Sequence, residues 1–358
     1  MIVANANPSV HPVTGVMSSL VINNSSSQGP TDDGRVKPDI AADGTALFST
    51  SNETNTSYAT ETGTSMASPS VAGGLILLQE HYNDLHPSEF MRSATLKGLV
   101  CHTALDDVAS VGPDPKFGWG LLNAKKAAET ISNNGLSAWV SEERLNQGQT
   151  FTMTVASTGG ANNPLMASIT WTDVPGEANN GQRLTPNDTF RALVNDLDIR
   201  ITKDGSTYYP WRLDVASPTS PAIRNGDNNV DNIEVVAIEN AQPGNYQIVV
   251  SHKGIISTPT QNYSLIFTGN NVVLNNAFFD ENSFVLYPNP ANDFVGVNLG
   301  TVEADSYDLI DLQGRIINSG SLVGKNNETI SLSGLQSGVY FVKINSNSKS
   351  VVKKIIKK

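Results

Sequence analysis

Apolar and polar residues change their spacing twice along this chain, and the two changes divide it into three zones. Over about residues 1–135 the pattern is mixed. Val36 to Ala42 is a short apolar run opened by Lys37-Pro38. The spacing over Ser68 to Tyr82 predicts a helix, with Pro69 tolerated in its first turn. Its apolar residues Val71, Ala72, Leu75, Ile76, Leu77 and Leu78 cover most of the circumference, so this helix is expected to be buried. Ser88 to Thr103 predicts a second helix started by Pro87-Ser88, and Asn123 to Ile131 a third.

From about 136 to 272 the period becomes two. Phe151, Met153 and Val155 alternate with polar residues, as do Leu197, Ile199 and Ile201, then Tyr246, Ile248 and Val250, then Tyr263, Leu265 and Phe267. Such alternation, broken by Gly, Pro and Asn, predicts an antiparallel sandwich or jelly roll. Residues 273–283 read as a linker. The stretch 284–358 predicts a second, smaller β unit, with Tyr340, Val342 and Ile344 on one strand face and a hairpin turn at Gly314. The last residues, Lys353-Lys354-Ile355-Ile356-Lys357-Lys358, suit a solubilised edge strand.

Composition narrows the function classes. Of 358 residues 39% are hydrophobic, enough for real cores, and only 16% are charged. The net charge of −11 argues against a nucleic-acid partner, which needs clustered Lys and Arg, and is compatible with cation binding. No run approaches the roughly 18 apolar residues of a membrane helix. Cys101 is the single cysteine, so no internal disulfide forms, and its place in Leu99-Val100-Cys101 marks it as a small buried hydrophobe. Met1 to Asn24 shows neither the basic nor the apolar region of a signal peptide, so the natural N-terminus is expected to lie upstream.

The sharpest candidate for chemistry is Gly63-Thr64-Ser65-Met66-Ala67-Ser68-Pro69, which runs into the first helix. At a helix N-terminus the free N–H groups and the dipole favour negative charge, and the Ser65 N–H can donate to an oxyanion. Gly63 and Thr64 support the site, Gly63 by leaving room for a substrate carbonyl. A serine here also serves simply as a helix cap, and the bare triplet does not separate the two roles.

The longer string does. Gly63 to Pro69 followed by Val71-Ala72-Gly73 resembles the nucleophile motif of the subtilase family, with Ser70 where the family usually has His. Ser26-Ser27-Gln28-Gly29-Pro30 through Lys37-Pro38-Asp39-Ile40 resembles the segment that precedes the nucleophile in the kexin-like, alkaline-protease branch, with Ala42-Asp43-Gly44 in place of Ala-Pro-Gly. Phe117-Gly118-Trp119-Gly120-Leu121-Leu122-Asn123-Ala124 resembles the family's closing segment. The resemblance implies a serine endopeptidase acting on proteins or peptides, with Ser65 as nucleophile. It also implies a triad in the chain order Asp, His, Ser. The Asp, the His and the oxyanion-hole Asn are not found upstream of Ser65. Only His11 precedes it, in a Val-His-Pro setting that matches nothing in the family. This chain alone is therefore expected to be nearly inactive, and to leave apolar surface of the first helix uncovered. The alternative is a non-enzymatic surface or binding protein derived from a subtilase.

Two further resemblances concern the β zones. Asp196 and Asp198 share a strand face, and Asp227-Asn228-Asn229-Val230-Asp231 forms a second acidic loop. They resemble the jelly roll that follows the catalytic domain in the same branch, which implies a calcium site at Asp196, Asp198, Asp227 and Asp231. Asx-turns at strand ends account for the same residues without an ion. Leu286-Tyr287-Pro288-Asn289-Pro290-Ala291-Asn292, Leu309 to Arg315 and Leu335 to Val342 resemble the C-terminal sorting domain of type IX secretion substrates. That implies export to the cell surface or exterior and the type IX machinery as partner. The expected fold is mixed: part of a subtilisin-like α/β domain, a β jelly roll, and a small Ig-like β-sandwich.

Overall fold

The computed structural model describes residues 1–11, 13–107, 111–177, 190–274, 284–300, 304–346 and 349–358. Most of the expected linker, residues 275–283, lies outside them. The chain forms two compact units, Met1–Asn275 and Asn276–Lys358.

The first unit opens with strands β1 (Val3–Val10), β2 (Met17–Ile22) and β3 (Ile40–Asp43). They form a sheet in the order β2-β1-β3, with β1 antiparallel to β2 and parallel to β3. The hairpin β4 (Leu47–Thr50) and β5 (Tyr58–Glu61) leads into helix α1 (Thr64–Leu85). This helix starts four residues before the expected Ser68. Pro69 therefore lies past the first turn, and the carbonyl of Ser65 lacks the N–H that residue 69 would otherwise supply. Helix α2 (Ser93–His102) starts later than the expected Ser88, which instead takes a left-handed backbone with φ 68°. What fixes its start is Glu142, whose Oε1 accepts from the Arg92 N–H at 2.7 Å and from Thr95 Oγ1 at 2.5 Å. A carboxylate there offsets the free N–H groups and the dipole of the first turn. Helix α3 (Ala124–Ser132) is capped by the Asn123 side chain, which accepts from the Lys126 N–H at 3.0 Å.

The period-two zone supplies β6 (Ala138–Asn146), β7 (Phe151–Ser157), β8 (Leu165–Trp171), β9 (Asp196–Lys203), β10 (Ser206–Tyr208), β11 (Ile233–Ile238), β12 (Gly244–Lys253), β13 (Thr260–Gly269) and β14 (Val272–Leu274). Sheets β10-β9-β12-β7-β14 and β11-β8-β13-β6 stack into a sandwich with antiparallel neighbours. Met153, Ile169, Trp171, Ile199, Ile248 and Leu265 fill the space between them.

The sandwich and the N-terminal zone, expected as separate domains, pack as one unit because the second sheet is buried on both faces. Its outer face carries Ser168, Thr170, Ser264 and Ile266, and α2 lies against it. A Cβ on Gly98 would come within 2.4 Å of Thr170 Oγ1, so only glycine admits this approach. Thr95 Oγ1 meets Ser264 Oγ at 2.7 Å, and His102 bridges Ser168 Oγ at 2.8 Å and Thr268 Oγ1 at 2.9 Å.

The second unit comprises β15 (Val285–Tyr287), β16 (Phe294–Asn298), β17 (Ser306–Ile310), β18 (Ile316–Ser321), β19 (Asn327–Ser331), β20 (Gly338–Ser346) and β21 (Lys349–Lys357). Sheets β15-β16-β19 and β18-β17-β20-β21 enclose Val295, Leu309, Ile330, Val342, Ile344 and Ile355. The lysine-rich β21 is an edge strand, and its outer side is closed by the Tyr287–Ala291 segment. Asn289 Nδ2 donates to Lys354 O at 2.8 Å, Asn289 Oδ1 accepts from the Ile356 N–H at 3.0 Å, and the Ala291 N–H donates to Ile356 O at 2.8 Å.

Candidate active site

Ser65 is the second residue of α1 and is exposed. The residue before the helix, Gly63, has an extended backbone (φ 162°, ψ 167°). Its carbonyl accepts from the N–H groups of Met66 and Ala67 at 3.0 and 3.2 Å, which leaves those of Thr64 and Ser65 as helix-end donors. A side chain at Gly63 would meet nothing closer than Ser65 N at 3.7 Å, so the backbone in front of the serine is open. The position is suited to a nucleophile whose oxyanion product is held by the helix end.

The helix start is held from below by Gly44, from the string Ala42-Asp43-Gly44, and by residues with no separate signal in the sequence. Gly63 N–H donates to Gly44 O at 2.9 Å. A Cβ on Gly44 would come within 2.6 Å of Gly63 O and 2.8 Å of Ala67 Cβ, so Gly44 is the glycine that close packing demands here. Beside it the fully buried Asn5 donates its backbone N–H to Ser26 Oγ at 3.0 Å, and its Oδ1 accepts from Thr45 Oγ1 at 3.1 Å. This polar floor ties β1 to the 23–27 loop and to the turn after β3.

The two flanking motifs also meet. Asp39, after Pro38, is buried and accepts from the Ile2 N–H at 2.6 Å, Lys37 Nζ at 2.5 Å and Lys97 Nζ of α2 at 2.9 Å. Burial pushes its carboxyl up, but the two ammonium groups and the N–H outweigh it and bring the pKa down to about 2. Gly118 folds onto the same segment: a Cβ there would come within 2.2 Å of Pro38 O. Cys101 Sγ lies 3.8 Å from Asp39 O, and burial raises its thiol to about 12, as suits a small buried side chain.

No described histidine pairs with Ser65. His11 Nδ1 accepts from the N–H groups of Val13 and Thr14 in its own turn, at 3.3 and 3.2 Å. His81 meets Ser132 at 2.8 Å, His86 stacks on Tyr82, and His252 accepts from the Gly148 N–H at 2.7 Å. His102 is enclosed under the second sheet, where burial first and Lys126 second lower its pKa to about 3. It is a neutral core histidine.

The helix itself is covered on one side. Ala67, Val71 and Leu78 are buried against β1, β3 and α3, but Ile76 and Leu77 are 69% and 63% exposed. Ser65, Pro69, Ala72 and Gly73 are also exposed. The expected burial of the whole circumference is corrected to burial of one stripe, with an open apolar face leading away from Ser65.

The four aspartates of the expected calcium site separate into two places. Asp198 and Asp227 share two cations: Lys253 Nζ lies 2.5 and 2.9 Å from them, and Arg200 bonds to both. Asp196 Oδ2 is 3.9 Å from the same Lys253, and burial raises its pKa to about 6. Burial and the neighbouring Asp198 hold Glu234, from β11, well above the usual carboxylate range. Asp231 is elsewhere: its Oδ1 accepts from the Val36 N–H at 3.0 Å and its Oδ2 from Asn228 at 3.0 Å, and burial raises it to about 6. Among the described residues no group of three or more His, Cys, Asp or Glu side chains is arranged to hold a metal ion. With ammonium and guanidinium groups already between the carboxylates, this donor set does not fit calcium as it stands.

Residues 6–120 match the subtilase family, and residues 285–358 match the secretion system C-terminal sorting domain. The N-terminal zone is a subtilase segment, and the C-terminal unit is a type IX sorting domain. The C5a peptidase of Streptococcus pyogenes serotype M18 is 40% identical over 131 residues, which covers 35% of this chain and 11% of that protein. The serine protease/ABC transporter B family protein tagD of Dictyostelium discoideum is 26% identical over 322 residues, 69% of this chain and 17% of its own length. The chain thus spans less than a fifth of either relative. The adhesin domain of Epf from Streptococcus pyogenes aligns over 63% of this chain and 80% of its own at 10% identity and a TM-score of 0.20, too slight a likeness to argue from. No helix among the described residues is long and apolar enough to cross a membrane. A sorting domain of this kind indicates type IX secretion to the cell surface or exterior.

Proposed function

We propose that this chain carries the nucleophile portion of a secreted serine endopeptidase. Ser65 Oγ attacks the carbonyl carbon of a peptide bond, its proton passes to a base, and the amine leaves with that proton as the acyl-enzyme forms. Water then releases the acyl group. The Ser65 N–H is one donor to the oxyanion, with Gly63 and Thr64 shaping the approach. The histidine base, its aspartate and the second oxyanion donor come from subtilase sequence outside these residues, seated on the open face of α1. The observation that carries this reading is the exposed Ser65 at a helix N-terminus, from which an uncovered apolar stripe extends through Pro69, Ala72, Ile76 and Leu77. Protein or peptide substrates follow from the family.

The test is covalent labelling by a fluorophosphonate. The chain is supplied with an upstream subtilase segment, fused or co-expressed, and labelled beside a Ser65→Ala control. Labelling confined to the Ser65 protein is the expected outcome. A folded assembly that takes up no label at Ser65 would sink the reading. A second reading, a non-enzymatic surface protein, is favoured by one observation: all five histidines are engaged away from Ser65. The same unlabelled assembly would support it.

A further inference from the structure

The second unit buries one face of its four-stranded sheet and exposes the other. Tyr307, Leu309, Tyr340, Val342, Ile344 and Ile355 point inward to the core. By strand alternation their neighbours point outward. The register then places Ile310 of β17 opposite Ile316 of β18 on one side and Phe341 of β20 on the other. Phe341 in turn faces Lys354, and Val339 faces Ile356, both on β21. The row Ile316–Ile310–Phe341, widened by Val339 and Ile356, is an apolar band that crosses all four strands. Ile316 is 61% and Ile356 38% exposed. A solvent-facing sheet would normally carry polar residues here, as Ser306, Ser319 and Asn345 do at the other end of the same face.

The β20 and β21 side of the band is basic. Lys354 lies within it, Lys343 is the next outward residue on β20 with Asp308 of β17 opposite it, and Lys358 ends the chain two residues after Ile356. After Glu328 the sequence has no acidic residue but six lysines, at 343, 349, 353, 354, 357 and 358. The rest of the chain has the opposite balance. Residues 1–275 hold 15 Lys and Arg against 26 Asp and Glu, and residues 276–358 hold 8 of each, so the whole net charge of −11 resides in the first unit. An apolar band flanked by lysines on the β20 and β21 side, with the Asp308 carboxylate of β17 opposite Lys343, on an otherwise acidic chain, has the form of a protein-docking patch.

We propose that the outward face of sheet β18-β17-β20-β21 is the surface by which the secretion machinery holds this sorting domain. The partner it fits is a protein surface with an apolar centre over Ile316, Ile310, Phe341 and Ile356 and carboxylates facing Lys343, Lys354 and Lys358. The inference rests on the sorting role of this unit and adds the face that performs it. The opposite sheet has exposed apolar residues too, Val285 and Phe294, but no lysine flank, and serves as the internal control.

The experiment is export of the full chain from a type IX-competent host, measured as the fraction reaching the medium or cell surface. Ile316→Glu combined with Ile356→Glu is expected to lower export at least tenfold, and Lys354→Glu several-fold, with Lys354→Arg and Val285→Glu at the unsubstituted level. The thermal unfolding of each purified chain must match that of the parent; Lys354→Glu, at an outward and exposed position, keeps the test open if the double variant unfolds. Normal export of a folded Lys354→Glu, or an equal loss with Val285→Glu, overturns the proposal. So does a concentration-dependent dimer that the same substitutions abolish, since the face would then belong to a second copy. Removal of residues 284–358 tests the sorting role itself: export that survives it breaks that role, whereas export lost by removal and kept by the face variants breaks only the face.

Discussion

Helices α1 and α2 have similarly apolar sequences and opposite fates. In α2 the residues Ala94, Gly98, Leu99, Val100 and Cys101 are all buried, because the sandwich covers one side and α1, α3 and Trp119 cover the other. In α1 only Ala67, Val71 and Leu78 are, and Ile76 and Leu77 face solvent. The difference lies in what surrounds each helix. A helix that is apolar all round needs cover all round, and α1 has it on one side. The uncovered side is the one on which Ser65 stands.

Core truncation should give the largest contrast. Leu99→Ala is expected to cost about 2–5 kcal/mol in urea unfolding, and Leu77→Ala no more than about 0.5 kcal/mol. Equal losses would erase the distinction between the helices. With an upstream subtilase segment supplied, the Leu77→Ala cost should rise toward that of a core residue.

Acid comes next, through groups on and beside α2. The folded-state pKa of His102 is depressed to about 3, so the unfolded chain binds its proton first. Stability from His102 is complete above about pH 6.5 and is lost as pH falls toward 3, on the order of 2 kcal/mol by pH 4.5. Asp39, held at about 2, adds a loss as pH falls from about 4 through 2. Asp231, raised to about 6, works the other way and gains stability between pH 6 and 4. The His102 share is therefore read as the difference between the parent and His102→Gln, whose unfolding free energy should lack that part of the slope. Parallel pH profiles would refute it.

The glycines offer a smaller contrast of opposite sign. Gly98→Ala forces a Cβ into Thr170 and should cost about 1–3 kcal/mol. Gly73→Ala on the open face of α1 meets nothing within 4 Å and should stabilise the chain by about 0.5–1 kcal/mol. A destabilising Gly73→Ala would mean that this face is already covered.

The smallest expected effect is none at all. Because Arg200 and Lys253 occupy the space between Asp198 and Asp227, added calcium or a chelator should leave the Tm unchanged. A rise with calcium would restore the metal reading of that loop.

Much of this was legible in the chain. The alternating runs at 151–155, 197–201, 246–250 and 263–267 each became a strand with those residues inward, since period two leaves a strand one way to face a core. The string from Gly63 to Pro69 marked a helix start, because glycine, small polar residues and proline gather where backbone N–H groups are free. Local pattern did not reach the start of α2, which Glu142 fixes from a strand about fifty residues away, nor the floor that Asn5 and Thr45 make beside Gly44. It grouped four aspartates by likeness, and the fold parted Asp231 from the others.

The sequence by itself determined which residues seek the interior and which stretches become strand or helix, since both follow from side-chain spacing and backbone sterics. Tertiary structure alone decided which apolar faces found a partner and which carboxylates found a cation. Those outcomes depend on distances between segments far apart in the chain, and no local pattern encodes them.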